Sequence, residues 1–168
     1  SLLRSILRCR ILFRSWLAWE GFTRCFFLTT EFEAFLDGVY LSDKDLENPE
    51  VYKQELHKIK TGRYKYIHFG IPCSSWESLA VLNGGTRRKH RPYGTGARPK
   101  EARANGQLLR MHHRITEIEK DNGYWSIENP RSSFIWSTSE LSGLADRETT
   151  YTVDFAQCMY NLRPPDYV

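Results

Sequence analysis

Twice in this chain a helical pattern closes on a glycine turn and runs straight into an apolar, strand-like segment. The first instance begins at Asn48, a residue type whose short side chain can accept from a free helix amide. Pro49 follows at the first helical position, where a missing N–H costs nothing. Val51, Tyr52, Leu56 and Ile59 form an apolar stripe and Thr61-Gly62 supplies a stop, which predicts a helix over 49–60. Residues 63–71 then read as a buried strand. In the second instance Leu108, Met111, Ile115 and Ile118 recur at helical spacing and Asp121-Asn122-Gly123 ends them. A strand at 124–128 follows. Arg131 to Asp146 reads as loop with a short helix, and Thr150 to Phe155 as a further strand. The alternation predicts an α/β fold, a mostly parallel sheet with flanking helices. Sites in such sheets lie beyond the carboxyl ends of the strands.

Both strand ends carry chemistry. The run Tyr66-Ile67-His68-Phe69-Gly70-Ile71 stops at Pro72-Cys73 and continues as Ser74-Ser75-Trp76. The run Tyr124-Trp125-Ser126-Ile127 stops at Glu128-Asn129-Pro130. A cysteine reacts as its thiolate, and an ordinary thiol titrates near pH ~8.5. Backbone N–H groups and basic neighbours at such a turn would favour ionisation at lower pH. Glu128, flanked by Trp125 and Ile127, would sit in a partly apolar pocket that favours the protonated acid. A nucleophile beside a carboxylic acid suits attack on an electron-poor ring. The plainer alternatives are a cysteine that is only a small core residue and a Glu-Asn-Pro that is only a turn.

Between the two ends, residues 77–104 change character. Gly84, Gly85, Gly94 and Gly96 are interleaved with Arg87, Arg88, Lys89, His90, Arg91, Arg98, Lys100 and Arg103. This clustering says more than the formal net charge of +4. A basic, glycine-rich loop of that length is either a nucleic-acid contact or a solvated flexible segment. The cysteines Cys9, Cys25, Cys73 and Cys158 contain no CxxC pair, so a zinc knuckle or thioredoxin-type motif is excluded and free thiols are expected. Charges interrupt every apolar run before the roughly 18 residues of a membrane span, so no membrane partner is expected. Residues 1–19 carry Arg4, Arg8, Arg10 and Arg14 with no acid before Glu20. They read as an amphipathic basic helix, either packed on the core or acting as an organellar transit segment.

At Pro72-Cys73 and Glu128-Asn129-Pro130 the chain resembles the DNA (cytosine-5) methyltransferases, which carry a Pro-Cys motif after one strand and a Glu-Asn motif after the next. The form Pro-Cys-Ser-Ser-Trp, with Ser133 and Trp136 after Glu-Asn-Pro, is most similar to divergent phage- and retroelement-type members. Val153-Asp154-Phe155-Ala156-Gln157-Cys158-Met159-Tyr160 and Arg163 are similar to a later block of those members. The resemblance covers about residues 43–165 and implies a Rossmann-like methyltransferase fold, incomplete here. It implies that a cytosine is flipped out of DNA, that Cys73 adds to ring carbon 6, and that Glu128 bonds ring nitrogen 3 and the exocyclic amine. Carbon 5 would then take a methyl group from S-adenosylmethionine. Pro72, Asn129 and Pro130 would line the base site. Arg87, Arg88, Lys89 and Arg91 would belong to a loop that closes over DNA, with RNA as the other nucleic acid to test. Arg163 would contact the flipped base or its backbone, and Asp45 would lie near the adenine of the cofactor. No metal is implied.

Three departures shape the expectation. The glycine-rich Phe-x-Gly-x-Gly turn of the family is absent from residues 1–36. Asn161 stands where a glycine is expected, and Pro164 stands where a lysine is usual. Residues 1–36 are therefore set apart as a basic, transit-like or aberrant segment, and 37–168 as the methyltransferase-like domain of a partial protein. Phe13-Arg14-Ser15-Trp16, read one base later, can encode Ser-Gly-x-Gly, which suggests a frame-shifted copy of the missing turn. Nucleus or host cytoplasm would be the site of action. A non-catalytic nucleic-acid-binding remnant is the main rival. A cysteine hydrolase pairing Cys73 with His68, His90, His112 or His113 is the weaker one.

Overall fold

The computed structural model describes the backbone of residues 8–14 and of residues 48–156, with side chains over 48–154. In chain order the elements are β1 (Arg8–Arg14), α1 (Pro49–Lys60), β2 (Tyr66–Gly70), α2 (Pro99–Lys120), β3 (Tyr124–Pro130), α3 (Ser139–Ala145) and β4 (Thr150–Ala156). Short 3-10 turns occupy Cys73–Ser75, Ser78–Val81 and Phe134–Ser137.

The first helix forms where its caps predict. Asn48 Oδ1 accepts the Glu50 N–H at 2.9 Å, Pro49 opens the helix, and Gly62 ends it at φ 67, a left-handed conformation that suits glycine. The second helix starts well before its apolar stripe. Pro99 opens it and Ala104 is buried, so the last part of the expected basic loop is helix. Across Arg8–Arg14 the expected basic helix is replaced by a strand. Here alternation of period two wins over helical spacing, because the strand fills a gap between two others and gains backbone hydrogen bonds on both sides.

The sheet runs β2-β3-β1-β4. β2 and β3 are parallel neighbours, with Gly70 opposite Glu128, and β1 is antiparallel to both β3 and β4. The fold is therefore α/β, and β2, β3 and β4 share one direction. The sheet is mixed rather than parallel throughout, because β1 is reversed.

One face of the sheet meets α2 through Phe69, Trp125 and Ile127, with Leu108, Met111, Ile115 and Ile118 opposite them. Trp76 and Ile135, from the loops at the strand ends, and Leu141 and Leu144 of α3 complete the core. Each side chain buried there contributes about 1.5–3 kcal/mol. Among the described residues no helix is long and apolar enough to cross a membrane.

Candidate active site

After β2 the chain turns at Pro72 and enters the 3-10 turn at Cys73, whose carbonyl accepts the N–H groups of Trp76 (2.7 Å) and Glu77 (3.1 Å). The turn is fixed from below by Trp76, which is fully buried. Stacked on that indole is the guanidinium of Arg87, its Cζ 3.6 Å from the ring centroid. The same guanidinium donates to the carbonyls of Pro92 (2.5 Å) and Glu101 (3.0 Å), to Asn105 Oδ1 (2.9 Å) and to Ser75 Oγ (3.4 Å). At 1% exposure, Arg87 faces inward and ties the basic loop to the Pro-Cys turn.

The loop is consequently folded. Glu101 accepts from the Thr86 N–H at 2.7 Å and from the Thr86 hydroxyl. Burial alone would raise its carboxyl, but the Thr86 bonds and the charges of Arg87 and Arg98 outweigh it and hold the group below its ordinary value. Gly85 is required by close approach, since a Cβ there would come within 2.6 Å of the Ala80 carbonyl oxygen. Arg88 is half-buried and donates to the carbonyls of Gly85 (3.1 Å) and Arg87 (2.6 Å). The backbones of Arg88 and Arg91 pair reciprocally, which makes a tight tip that presents Lys89 and His90 to solvent. Arg91 is also exposed and reaches the Thr86 carbonyl at 3.3 Å.

The thiol differs from expectation. Burial first, then a hydrogen bond to Glu77 and the charge of that carboxylate, push the Cys73 thiol up, against a smaller downward pull from its own backbone. The basic loop does not reverse this. Its most intimate cation, Arg87, is stacked on Trp76 and turned toward Pro92, Glu101, Asn105 and Ser75.

Glu128 is placed by the sheet instead. Gly70 stands opposite it and presents no side chain, so the carboxylate is 34% exposed. The apolar pocket expected from Trp125 and Ile127 is not formed around it. Alternation along the strand sends those two residues into the core and Glu128 to the opposite face, with Ser126. Its neighbour there is His68, whose Nε2 lies 3.9 Å from Glu128 Oε2. Burial lowers the His68 pKa, against a pull upward from Glu128.

Asn129 joins the two strand ends. It is 2% exposed and its Nδ2 donates to the Ile71 carbonyl at 2.8 Å, one residue before Pro72. Its Oδ1 is buried and has no partner among the described residues. The Phe134 N–H donates to the Trp76 carbonyl (2.8 Å), and Trp136 Nε1 to the Pro130 carbonyl (2.8 Å). Pro72, Cys73, Glu128, Asn129 and Pro130 therefore share one edge of the sheet, laced together by these bonds. Lys89 and Arg91 lie in the loop anchored beside that edge. Asp45 and Arg163 lie outside the described residues.

Sequence reading missed Glu77, which adds to burial in raising the thiol, and the contact of His68 with Glu128. The signal for His68 was available in two strands read side by side: Tyr66 and His68 alternate on one, Ser126 and Glu128 on the other.

Compared with family models, curated proteins and solved structures, the chain matches none.

Proposed function

We propose that this domain is a cytosine-5 methyltransferase-like catalytic unit in which Cys73 attacks a cytosine flipped out of DNA. The observation that carries the reading is the joined edge. Parallel pairing sets Gly70 opposite Glu128, and the Asn129 bond to Ile71 ties the Glu-Asn-Pro end to the Pro-Cys turn. A nucleophile and a proton donor fixed on adjacent strands can address two atoms of one ring.

In this reading the Cys73 thiol gives its proton to the Glu77 carboxylate, whose charge helps to hold that proton in place, as sulfur bonds to carbon 6. The electrons of the 5,6 double bond shift through carbon 4 onto nitrogen 3, which takes the proton of Glu128. Carbon 5 becomes nucleophilic. Asn129 Oδ1, buried and without a partner among the described residues, is an acceptor in the same loop pair. S-adenosylmethionine would supply a methyl group for carbon 5. The described residues do not complete a cradle for it: no Phe-x-Gly-x-Gly turn occurs in residues 1–36, and Asp45 lies outside the described region. The reading therefore rests on Cys73, Glu128 and Asn129, and on Lys89 and Arg91 as exposed cations for a phosphate backbone.

The test is covalent trapping on duplex DNA containing 5-fluorocytosine, with S-adenosylmethionine present and RNA of the same sequence in parallel. A donor-dependent adduct by intact mass, lost in Cys73→Ser, is the expected result. Binding without any adduct would sink the enzyme. That outcome favours a second reading, a nucleic-acid-binding module without catalysis, to which the raised thiol of Cys73 already points.

A further inference from the structure

The sheet face opposite the core carries a row of hydrogen-bonding side chains that ends on Glu128. Tyr66 Oη and Ser126 Oγ are 2.6 Å apart, and Ser126 Oγ and His68 Nδ1 are 2.8 Å apart. His68 Nε2 stands 3.9 Å from Glu128 Oε2. Register produces the row: His68 pairs with Ser126 and Gly70 with Glu128, so residues of period two on β2 and β3 converge on one face. Ser126 is 5% exposed, a buried hydroxyl held between a phenol and an imidazole.

We propose that His68, oriented by Ser126 and Tyr66, is the positioning residue that sets the protonation state of Glu128 and returns a proton to it. This rests on the reading of Glu128 as proton donor to a bound pyrimidine. The Ser126 hydroxyl can donate to Nδ1 or accept from it, so the ring can present either an Nε2 lone pair or an Nε2–H to the carboxyl group. The lone pair suits the acid, and the N–H suits the carboxylate. After Glu128 has given its proton to ring nitrogen 3, an O–H bond re-forms on Glu128 as the His68 Nε2–H bond breaks. Nδ1 takes the Ser126 proton, Ser126 takes the Tyr66 proton, and solvent restores Tyr66. The imidazole stays neutral throughout. The 3.9 Å gap is closed by a small side-chain rotation or by one water.

The surroundings favour a neutral ring. Burial lowers the His68 pKa against the pull of Glu128, and burial raises that of Tyr66 against the bond from Ser126. Among the described residues, the titratable groups beside His68 on this face are Tyr66 on its own strand and Glu128 on β3, with Tyr124 paired to Tyr66. The β1 positions level with Ser126 and Glu128 are Phe13 and Ile11, which do not titrate. Beyond them on β4 stand Tyr151 and Val153.

Carbon-13 carboxyl titration of Glu128 by NMR, with nitrogen-15 shifts of His68, tests the coupling without any substrate. His68→Gln should remove a titration step that Glu128 and His68 share in the wild type. Ser126→Ala, which keeps the imidazole, should change the His68 tautomer balance and is the deciding variant if His68→Gln does not fold. The pH profile of adduct formation on 5-fluorocytosine DNA should move in step with the Glu128 midpoint. An unchanged Glu128 titration in the folded variants overturns the relay, even if wild-type trapping succeeds. A clear shift with no adduct in the wild type leaves the coupling standing and removes the pyrimidine as its purpose.

Discussion

The two strand ends that meet at the candidate site are held in opposite ways. The end of β2 is wrapped: Trp76 is fully buried, Arg87 is stacked on it, and a folded loop closes over both. The end of β3 is held by sheet register, with Glu128 looking over a glycine into a partly open space. The thiol is thus placed by packing and the carboxylate by backbone hydrogen bonds. Damage to packing should therefore unseat the thiol first, while changes at Glu128 should touch chemistry and leave stability almost alone.

The largest expected effect is at the wrapped end. Trp76→Ala removes a fully buried indole and the platform of Arg87, and should cost about 3–5 kcal/mol in a urea melt. A loss below about 1 kcal/mol would mean that the loop is not tied down by this stack. Next is the link between the ends. Asn129→Ala leaves the Ile71 carbonyl without its donor and should cost about 1–3 kcal/mol. If packing alone joined the ends, the variant would melt with the wild type.

Glu77→Gln should change reactivity more than stability. With the carboxylate charge gone, burial alone raises the thiol, so iodoacetamide should label Cys73 about two- to fivefold faster near pH ~7.5. Equal rates would show that Glu77 does not add to the effect of burial on the thiol. The raised thiol also gives a pH signature. The folded state keeps its proton above pH ~8.5, where an unfolded thiol loses it, so this contribution is full below that value and fades as pH rises through the folded midpoint. Cys73→Ser should flatten that alkaline decline. The smallest stability change belongs to the register-held end. Glu128→Gln should stay within about 0.5 kcal/mol of wild type in the same melt while abolishing adduct formation.

Legibility in the sequence follows the range of the forces involved. The first helix could be read from Asn48, Pro49 and its stripe because caps and propensities act over a few residues. The strand ends were nearly legible for the same reason: expected at Ile71 and Glu128, they fall at Gly70 and Pro130. The start of α2 was hidden, because Lys100, Arg103 and Gly106 make its first turns look like loop. The inward turn of Arg87 could not be read locally, since it depends on Trp76, Glu101 and Asn105 arriving together. At Glu128 the neighbours Trp125 and Ile127 suggested an apolar pocket, while alternation placed them on the other side of the sheet. The contact of His68 with Glu128 required a register between two strands, which no single stretch specifies.

The position of β1 has a consequence for how the chain reaches this state. Ile11 pairs with Glu128 on one side and Val153 on the other, so the middle of the sheet closes only by bringing together segments from distant parts of the chain. Such pairings form late and slowly, because loop-closure entropy is spent before any contact repays it. During synthesis, Cys9-Arg10-Ile11-Leu12-Phe13 emerges early and must wait for both partners to be made. Until then it is an unpaired strand edge, open to the wrong neighbour, with its arginines as the main guard against aggregation.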